Sequence, residues 1–425
     1  MKTLLRTNGV IHLDGRRLPG AAVGIDEEGR VEFVIRDEHF SEERSFGSQS
    51  DYTVCDRRAW TLLPLLADAH VHLGISNGIR ESPAFHTPEH VDEELGAYLR
   101  CGVGHVLSLG TDQPWMQEEA ARRQHGNDRS LAIPYSAGCG FGAKDGWPPE
   151  LTAPEPRFRP ETSEMARQQV RLLARRGTHI IKLWVDDLSG DVPKLPLPVI
   201  RAITDEARRE GLTTCAHVFS LEDARNLVAC GVNALAHSIR DQPVDRAFAD
   251  KMAKRGTKLI PTLAREEAAL QFASEDNAYL TDTFYRWCVG NDLFSTLAEQ
   301  RSTSDPEEAG AFQRALDTAM RNLDVLSSAG VTVLLGTDAG FRLKVPGFSQ
   351  HREMQLMSDA GVPGEKVLAS ALGNTRSFFA HAASGLSKGE PANFFLVKGN
   401  PLEYIRHTTN IGEVWHSGEI VASGP

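Results

Sequence analysis

The chain has 425 residues, 41% of them hydrophobic and 24% charged, which is the composition of a globular protein and excludes a short peptide scaffold. This length predicts two domains, or one large domain with an appendage. The formal net charge of −11, from 46 Lys and Arg against 57 Asp and Glu, disfavours nonspecific binding to nucleic acid or to anionic lipid.

Six cysteines are scattered along the chain without a Cys-x-x-Cys pair, which disfavours a disulfide framework and a thiolate zinc site. The N-terminal residues contain no apolar stretch typical of a signal peptide. No segment approaches the roughly 20 apolar residues of a membrane helix. We therefore expect a cytoplasmic protein with reduced thiols, and with neither a nucleic acid nor a membrane as its partner.

Both ends of the chain are predicted to be rich in β-strands. Residues 20–34 contain short β-prone runs separated by Gly, Asp and Glu, a pattern that indicates small antiparallel strands. Three further runs of this kind follow near the C-terminus, at 394–397, 413–416 and 419–421. No long helical pattern separates these three runs.

Between the two ends, apolar runs alternate with amphipathic stretches, which is typical of βαβ units and a parallel sheet. Three of the predicted helices cover residues 161–176, 198–210 and 311–328. Eight candidate strands lie at 62–72, 105–109, 132–136, 179–185, 213–217, 234–237, 258–263 and 332–338. Eight strand–helix units predict a (β/α)8 TIM barrel with its active site at the carboxyl ends of the strands. An open doubly wound sheet is the alternative.

A long insertion, residues 264–308, follows the seventh candidate strand and is rich in aromatic residues. A segment of this length either serves as a lid or an oligomer contact, or it forms a local satellite core. The sequence does not distinguish among a lid, an oligomer contact and a local core, and assembly into a homo-oligomer is therefore possible.

Three basic side chains stand on the first and fourth candidate strands. His70 and His72 end the first strand, and the two-residue period of a strand places both imidazoles on one face. They can bind one metal ion, although ordinary packing or solvent exposure gives the same pattern. Lys182 lies in a run so apolar that a cation there requires a partner. Its amine could add carbon dioxide and bridge two divalent cations as a carbamate, or it could extend toward Asp186 or Asp187.

Three more strands end on residue types that bind metals. His217, His237 and Asp338 stand at the ends of the fifth, sixth and eighth candidate strands. A closed barrel brings these distant strand ends together, whereas an open sheet spreads them over several strand spacings. The predicted fold and the candidate site therefore support one another.

This set of residues, His-x-His, Lys, His, His and Asp on strands 1, 4, 5, 6 and 8, resembles the motif of the amidohydrolase superfamily of metal-dependent hydrolases. Within that superfamily the chain is most similar to the imidazolonepropionase-like and dipeptidase-like branch. The resemblance covers essentially the whole chain. It implies an α/β fold with a (β/α)8 barrel at 61–384 and a small β-sandwich formed by residues 1–60 and 385–425.

The resemblance also implies a binuclear metal centre. The implied ligands are His70, His72 and Asp338 for the more buried metal, His217 and His237 for the more exposed one, and N6-carboxylated Lys182 as the bridge. Zinc suits imidazole and carboxylate ligands, although manganese, cobalt or iron could replace it. A hydroxide bridging the metals would attack a C–N bond of an amide, peptide-like or cyclic amide substrate. Asp338 would act as general base and then as general acid.

Five other residues are candidate contacts for a small-molecule substrate. Arg240 and Arg342 follow the sixth and eighth strands and could hold a substrate carboxylate. Cys139 and Lys144 lie in the loop after the third strand, and His351 lies near the start of a helix after the eighth. Solvated side chains at the rim of a barrel would give the same pattern.

Other functions fit the same motif. An ester, lactone or phosphotriester hydrolase would use the same centre, because hydroxide also attacks those groups. A catalytically inactive metal-binding scaffold would share the fold, but such proteins usually lose ligands. A lyase or isomerase would often use fewer metals. The family's Pro-Gly-Leu-Ile-Asp motif before the first His pair reads Pro-Leu-Leu-Ala-Asp at 64–68. This difference indicates a divergent branch, so the substrates of the best-known family members do not predict the substrate of this chain.

Overall fold

The computed structural model of this protein describes residues 1–40, 51–124, 126, 128, 130–148, 158–274, 276–299, 306–379 and 385–425. These residues form three β-sheets. The strands are β1 (Lys2–Ile11), β2 (Arg17–Ile25), β3 (Val31–Arg36), β4 (Tyr52–Pro64), β5 (Leu66–Val71), β6 (Val103–Ser108), β7 (Ile133–Ser136), β8 (Ile180–Trp184), β9 (Thr213–His217), β10 (Ala234–Ala236), β11 (Lys258–Ile260), β12 (Phe394–Lys398), β13 (Ile411–His416) and β14 (Glu419–Ser423).

The helices lie mostly between the strands of the central part of the chain. They are α1 (Asp37–Phe40), α2 (Pro88–Arg100), α3 (Pro114–Gln124), α4 (Ser163–Arg175), α5 (Leu197–Arg209), α6 (Leu221–Cys230), α7 (Arg246–Arg255), α8 (Leu263–Ala273), α9 (Thr283–Val289), α10 (Asn291–Glu299), α11 (Pro306–Ser328), α12 (Phe348–Asp359), α13 (Gly364–Ala369) and α14 (Thr375–Phe379). Within the described ranges, no helix combines the length and the apolar character needed to cross a membrane.

Both ends of the chain contribute to one seven-stranded sheet, in the order β14-β13-β12-β4-β1-β2-β3. β4 joins the two ends, because it pairs with β1 in parallel and with β12 in antiparallel orientation. Side chains of these strands, among them Leu5, Leu62 and Phe394, form a buried apolar cluster. The prediction that both ends are rich in strands is confirmed.

The middle of the chain forms two parallel sheets, β5-β6-β7 and β8-β9-β10-β11. Isolated parallel bridges lie at their edges, at Phe141–Leu183, Leu259–Val333 and Val71–Ala339. β8 is buried at every position, as expected for a parallel strand covered on both faces. Seven of the eight predicted central strands are confirmed, together with the mixed α/β class.

The eighth predicted strand, at 332–338, is wrong as a regular strand. Asp338 has a φ of 60°, in the left-handed region, so its backbone cannot continue a pleated strand. The N–H groups of Thr337 and Asp338 both donate to the carbonyl of His70, at 3.3 and 2.7 Å. The segment therefore runs alongside β5, is joined to it by a few hydrogen bonds, and still places Asp338 beside His70.

The three helices predicted above are confirmed as α4, α5 and α11, with small shifts of their ends. The predicted apolar face of α5 is correct, since Ile200, Ile203 and Ala207 are all buried. Thr162 caps the start of α4, because its hydroxyl accepts the N–H of Met165 at 3.2 Å.

The insertion at 264–308 contains most of α8 and all of α9 and α10 among its described residues. The rings of Tyr279 and Tyr285 lie 4.8 and 4.9 Å from that of Phe348 in α12. Leu293 of α10 lies against the loop after β5, where a Cβ added to Gly78 would be 3.0 Å from it. Tyr279, Tyr285 and Phe348 belong to the same buried apolar cluster as side chains of the parallel strands, so the insertion packs onto the main core and does not form a separate satellite core. A role as a lid or as an oligomer contact stays a prediction.

Candidate metal centre

The six residues predicted as metal ligands meet at the carboxyl ends of the parallel strands. They are His70 of β5, His72 directly after it, Lys182 of β8, His217 at the end of β9, His237 directly after β10, and Asp338. Five of them line a cavity of about 250 Å³, and the sixth, Lys182, is fully buried beside it. The fold thus gathers side chains that are far apart in the sequence.

Asp338 stands next to the two histidines of the first strand. Its Oδ1 lies 3.3 Å from His70 Nε2 and 3.1 Å from His72 Nε2. The ligand atoms of these three residues all lie within 4.8 Å of one another, so the group could hold a metal ion.

The remaining predicted ligands extend this group. The Nζ of Lys182 lies 3.2 Å from His70 Nε2. The ring centroid of His237 is 4.9 Å from that of His70 and 4.4 Å from that of His217. The four imidazoles, the carboxylate and the amine therefore form one continuous cluster.

Hydrogen bonds fix the orientation of three of the imidazoles. The Nδ1 of His72 lies 2.8 Å from the hydroxyl of Thr111, and the Nδ1 of His237 lies 2.7 Å from that of Thr262. Both contacts use Nδ1 and leave Nε2 available as a ligand atom, and Nε2 of His72 lies 3.1 Å from Asp338 Oδ1. His217 is held through its other ring nitrogen, because its Nε2 lies 2.9 Å from Asp186 Oδ2. Contacts of this kind usually select the tautomer of a histidine ligand.

Burial keeps the imidazoles of the cluster neutral. It lowers the pKa of His72 and of His217 to about 4, and it lowers the pKa of His70 and His237 well below the usual histidine value. A neutral imidazole is the form that binds a metal. At pH 7 these side chains are therefore ready to act as ligands.

Lys182 is the buried amine of the cluster. Burial lowers its pKa to about 8, so an appreciable fraction is neutral near physiological pH. Its Nζ contacts His70 rather than Asp186 or Asp187, and no carboxylate in the described part of the chain lies within ion-pairing distance of it. An amine that is buried without a counter-ion can be accommodated by a modification that makes it a metal ligand.

The second oxygen of Asp338 faces two cations that the sequence analysis did not single out. Its Oδ2 accepts a hydrogen bond from Lys344 Nζ at 2.6 Å and lies 3.3 Å from Arg265 Nε. Burial alone would raise the pKa of Asp338, but Lys344 and the two neighbouring imidazoles hold it well below its usual value. The carboxylate is therefore ionised and is shared between imidazoles on one side and cations on the other.

Asp68 links the two strand ends that carry this carboxylate and the first histidines. Its Oδ1 accepts the N–H of His70 at 2.7 Å. Its Oδ2 accepts the hydroxyl of Thr337 and the amide of Gln350, both at 2.6 Å. Since Thr337 precedes Asp338, the buried carboxylate of Asp68 fixes the backbone on both sides of the candidate site.

Of the five predicted substrate contacts, Arg342 lies in the cavity lining. The others lie elsewhere. Arg240 is buried and forms an ion pair with Glu266 at 2.9 Å, and Lys144 forms an ion pair with Glu161 at the surface, at 3.3 Å. His351 is buried, and its Nε2 lies 2.8 Å from the Cys101 carbonyl oxygen. The thiol of Cys139 contacts the Gly140 carbonyl oxygen at 3.7 Å.

Comparison with known proteins identifies the fold. A scan against protein-family models finds no match. Uncharacterized proteins of Mycobacterium bovis and Mycobacterium tuberculosis are 29% identical over 302 residues, which are 69% of this chain and 74% of theirs. Three solved structures are similar to this chain. A Xaa-Pro dipeptidase with bound methionine has a TM-score of 0.75 and 20% sequence identity, and the match covers 99% of each chain. An A. niger ochratoxinase has a TM-score of 0.72 and 20% identity over 100% of this chain and 96% of its own, and an amidohydrolase has a TM-score of 0.72 and 18% identity over 100% of each chain.

The chain has the same fold as these three solved structures. The resemblance predicted from its sequence is thereby confirmed at the level of the fold. Because the similar structures are at most 20% identical to this chain, their activities are not transferred by the likeness alone.

Proposed function

We propose that this protein is a metal-dependent enzyme that hydrolyses a C–N bond of a small molecule, of amide, peptide-like or cyclic amide type. The observation that carries the proposal is the convergence of four neutral imidazoles, one carboxylate and one buried amine at a single cavity. The similar structures, which are of proteins named a dipeptidase, an ochratoxinase and an amidohydrolase, support it.

We further propose that the two parallel sheets belong to one closed (β/α)8 barrel at 61–384, with a β-sandwich built from residues 1–60 and 385–425. The isolated bridges at both edges of the parallel sheets support the closed barrel, and the sheet shared by the two chain ends supports a separate β-unit built from both termini. A cytoplasmic location and assembly into a homo-oligomer stay predictions from the sequence.

The residues of the site fit a pair of divalent cations. Their donors are imidazole nitrogens and carboxylate oxygen, a set that suits zinc. His70, His72 and Asp338 would hold one cation, and His217 and His237 would hold the other. Lys182, buried without a counter-ion, would bridge the two as an N6-carboxylated side chain. That modification would also turn an unfavourable buried amine into an anion neutralised by the cations.

The side chains around the cations would perform the proton transfers and the positioning. When bound, the cations supply a Lewis acid for the scissile carbonyl and an acidified water. Asp338 takes the proton from the attacking water and returns it to the leaving nitrogen. Thr111 holds the His72 ring in place. Trp184 and Phe341, which line the cavity, exclude bulk water around the reacting groups.

Replacement of the carboxylate tests this assignment. Asp338→Asn removes the proton acceptor but keeps the shape of the side chain, so we expect turnover of zinc-loaded protein to fall by about a hundredfold or more. Bound metal, measured by mass spectrometry, should be mostly retained. Asp250→Asn, which changes an exposed aspartate of α7, is the matched control. Unchanged turnover in Asp338→Asn would refute the proton-transfer role.

A matched substrate panel tests the bond that is cleaved. Each acyl group is presented both as an amide and as an ester, and initial rates are compared for the zinc-loaded protein. The proposal predicts turnover of amides at rates that depend on the intact metal ligands. If only esters, lactones or phosphotriesters are hydrolysed, the assignment to C–N bonds is wrong while the metal centre stands.

A further inference from the structure

Two cysteine thiols meet where the insertion at 264–308 packs against the body of the protein. Cys101 directly follows α2, and Cys288 lies in α9. Their sulfurs are 3.4 Å apart, although 187 positions separate the two residues in the sequence. Both cysteines are buried, and both are free thiols in this structure. The fold thus brings two distant thiols into direct contact outside the candidate metal centre.

Contacts of the neighbouring residues hold the two thiols beside each other. Arg100, which precedes Cys101, donates from Nη2 to the carbonyl oxygen of Cys288 at 3.2 Å. Its guanidinium also lies 5.6 Å from the ring centroid of Trp287, which precedes Cys288. On the other side, a Cβ added to Gly347 would be 2.3 Å from the Cys101 sulfur, so this sulfur packs directly against the backbone there. The surroundings of the two sulfurs therefore fix their contact.

The step from this contact to a covalent bond is short. The S–S bond of a disulfide is about 2.05 Å long, so the sulfurs have to approach by roughly 1.4 Å. α9 has seven residues and is followed by Gly290, whose φ of 78° lies in the left-handed region. A short helix that ends at a glycine can shift by this amount without moving the parallel sheets.

We propose that Cys101 and Cys288 form a reversible disulfide that fastens the insertion at 264–308 to α2 when the protein meets a peroxide. Cys288, the more exposed of the two, reacts first: its sulfur attacks hydrogen peroxide, the O–O bond breaks, and a sulfenic acid and water result. The Cys101 sulfur then attacks the sulfenic sulfur, and a second water leaves as the S–S bond forms. The two thiols lose two electrons to the peroxide, and a dithiol reductant returns them.

Burial keeps the pair reduced until an oxidant is present in excess. It raises the pKa of the Cys288 thiol well above its ordinary value. The thiolate is the nucleophilic form of a cysteine, so the reactive species is scarce near neutral pH. We therefore expect slow oxidation that requires a sustained supply of peroxide.

The disulfide joins α2 to a segment that also contacts the cavity wall. Leu293 of α10 lies against Gly78 in the loop after β5. The carbonyl of Gly78 accepts the N–H of Leu343 at 3.0 Å, and the residues on either side of Leu343 line the cavity. The disulfide also closes a long loop of the unfolded chain, which favours the folded state. Oxidation should therefore slow the local opening of α9 and α10, whether or not the proposed function is correct.

Peptide mapping and hydrogen exchange of the full-length protein test the proposal. The protein is treated with hydrogen peroxide, its remaining thiols are alkylated, and it is digested without reductant. Wild type should give a peptide pair linked through Cys101 and Cys288, which dithiothreitol separates. Cys101→Ser and Cys288→Ala should each abolish the pair, whereas Cys230→Ser, which removes a buried cysteine of α6, should retain it. Amide exchange in α9 should slow by at least about tenfold in the oxidised wild type.

Three results would overturn the proposal. The first is the absence of the linked pair after peroxide has oxidised Cys55 and Cys139, which are less buried than the proposed pair. The second is a disulfide that joins Cys101 or Cys288 to a different cysteine. The third is a linked pair that leaves amide exchange in α9 unchanged, because the bond would then fasten nothing. If circular dichroism shows that Cys101→Ser does not fold, Cys288→Ala decides the assignment of the link.

Discussion

At the scale of single residues, the candidate site depends on side chains that hold the ligands rather than on the ligands alone. Asp68 accepts hydrogen bonds from His70, Thr337 and Gln350, and all three donors are buried with it. A buried donor that loses its acceptor retains the full cost of its desolvation. The geometry of the proposed metal ligands is therefore coupled to a buried carboxylate that is not part of the cavity lining.

Asp68→Asn should reveal this coupling. The new amide group must face at least one N–H donor, so we expect the free energy of unfolding to fall by about 2 kcal/mol. Urea unfolding of wild type and variant measures it. Asp112→Asn is the matched control. Asp112 is also buried and accepts the Gly138 N–H and the hydroxyls of Ser108 and Ser136, so the amide can keep its oxygen on the N–H while a hydroxyl rotates to accept from the new NH2 group. Equal losses in both variants would contradict the special role of Asp68.

Thr111→Val tests the hydrogen bond that orients His72. Valine has nearly the same shape but cannot bond to Nδ1, so the ring loses its fixed tautomer and orientation. We expect zinc affinity, measured by competition with a chelator, to fall about tenfold to a hundredfold. Thr318→Val in α11, where the hydroxyl bonds a helix carbonyl, should not change zinc affinity. An unchanged affinity in Thr111→Val would contradict the positioning role.

At the scale of elements, a carboxylate joins α12 to the start of α8. Glu353 of α12 accepts the N–H groups of Leu263 and Ala264, at 3.0 and 2.6 Å. These are the first residues of α8, and the next one, Arg265, lines the cavity. Glu353 thus fixes the direction in which α8 leaves the parallel sheet and presents its arginine.

Burial of the same carboxylate predicts a pH dependence of stability. Burial raises the pKa of Glu353 to about 8 from an ordinary value of 4.5, so the folded state binds this proton more tightly. The stability that it contributes is full below the ordinary pKa and is lost as the pH rises toward 8. Glu353→Gln has no such proton. The unfolding free energy of wild type relative to Glu353→Gln should therefore decrease between about pH 5 and pH 8; parallel pH profiles would contradict this.

Elements were predictable from the sequence where a local pattern was strong. The end of β5 could be predicted because His70 and His72 interrupt an apolar run, and α5 because its apolar residues recur at helical spacing. The segment before Asp338 carries the same apolar pattern but is not a regular strand. Its backbone turns into the left-handed region at Asp338, a tertiary effect that no local pattern records.

The residues that orient the ligands could not be predicted in the same way. Thr111, Thr262 and Lys344 are ordinary polar residues of loops and helix starts, and their importance follows only from contacts across the fold. The one available signal is position: Thr111 and Thr262 follow β6 and β11 by a few residues, and Lys344 follows the irregular segment that ends at Asp338. Arg240 stands in an equivalent position and is instead buried against Glu266. Position alone therefore does not separate the two roles.

At the scale of the whole molecule, the two chain ends form one sheet because β4 pairs with β1 on one side and β12 on the other. This sheet leads directly into β5, since β4 ends at Pro64 and β5 begins at Leu66. The β-rich character of both ends was predictable, whereas the pairing between them depends on contacts separated by more than 300 residues.

The proposed metal centre requires that six side chains from distant strands hold two divalent cations, with Lys182 carboxylated between them. Crystals grown with zinc and bicarbonate, measured at the zinc absorption edge, test it most directly. The account predicts two anomalous peaks among the imidazoles and Asp338, and density for a carboxylate on Lys182. Zinc bound elsewhere, or an unmodified Lys182 beside an empty site at saturating zinc, would contradict it.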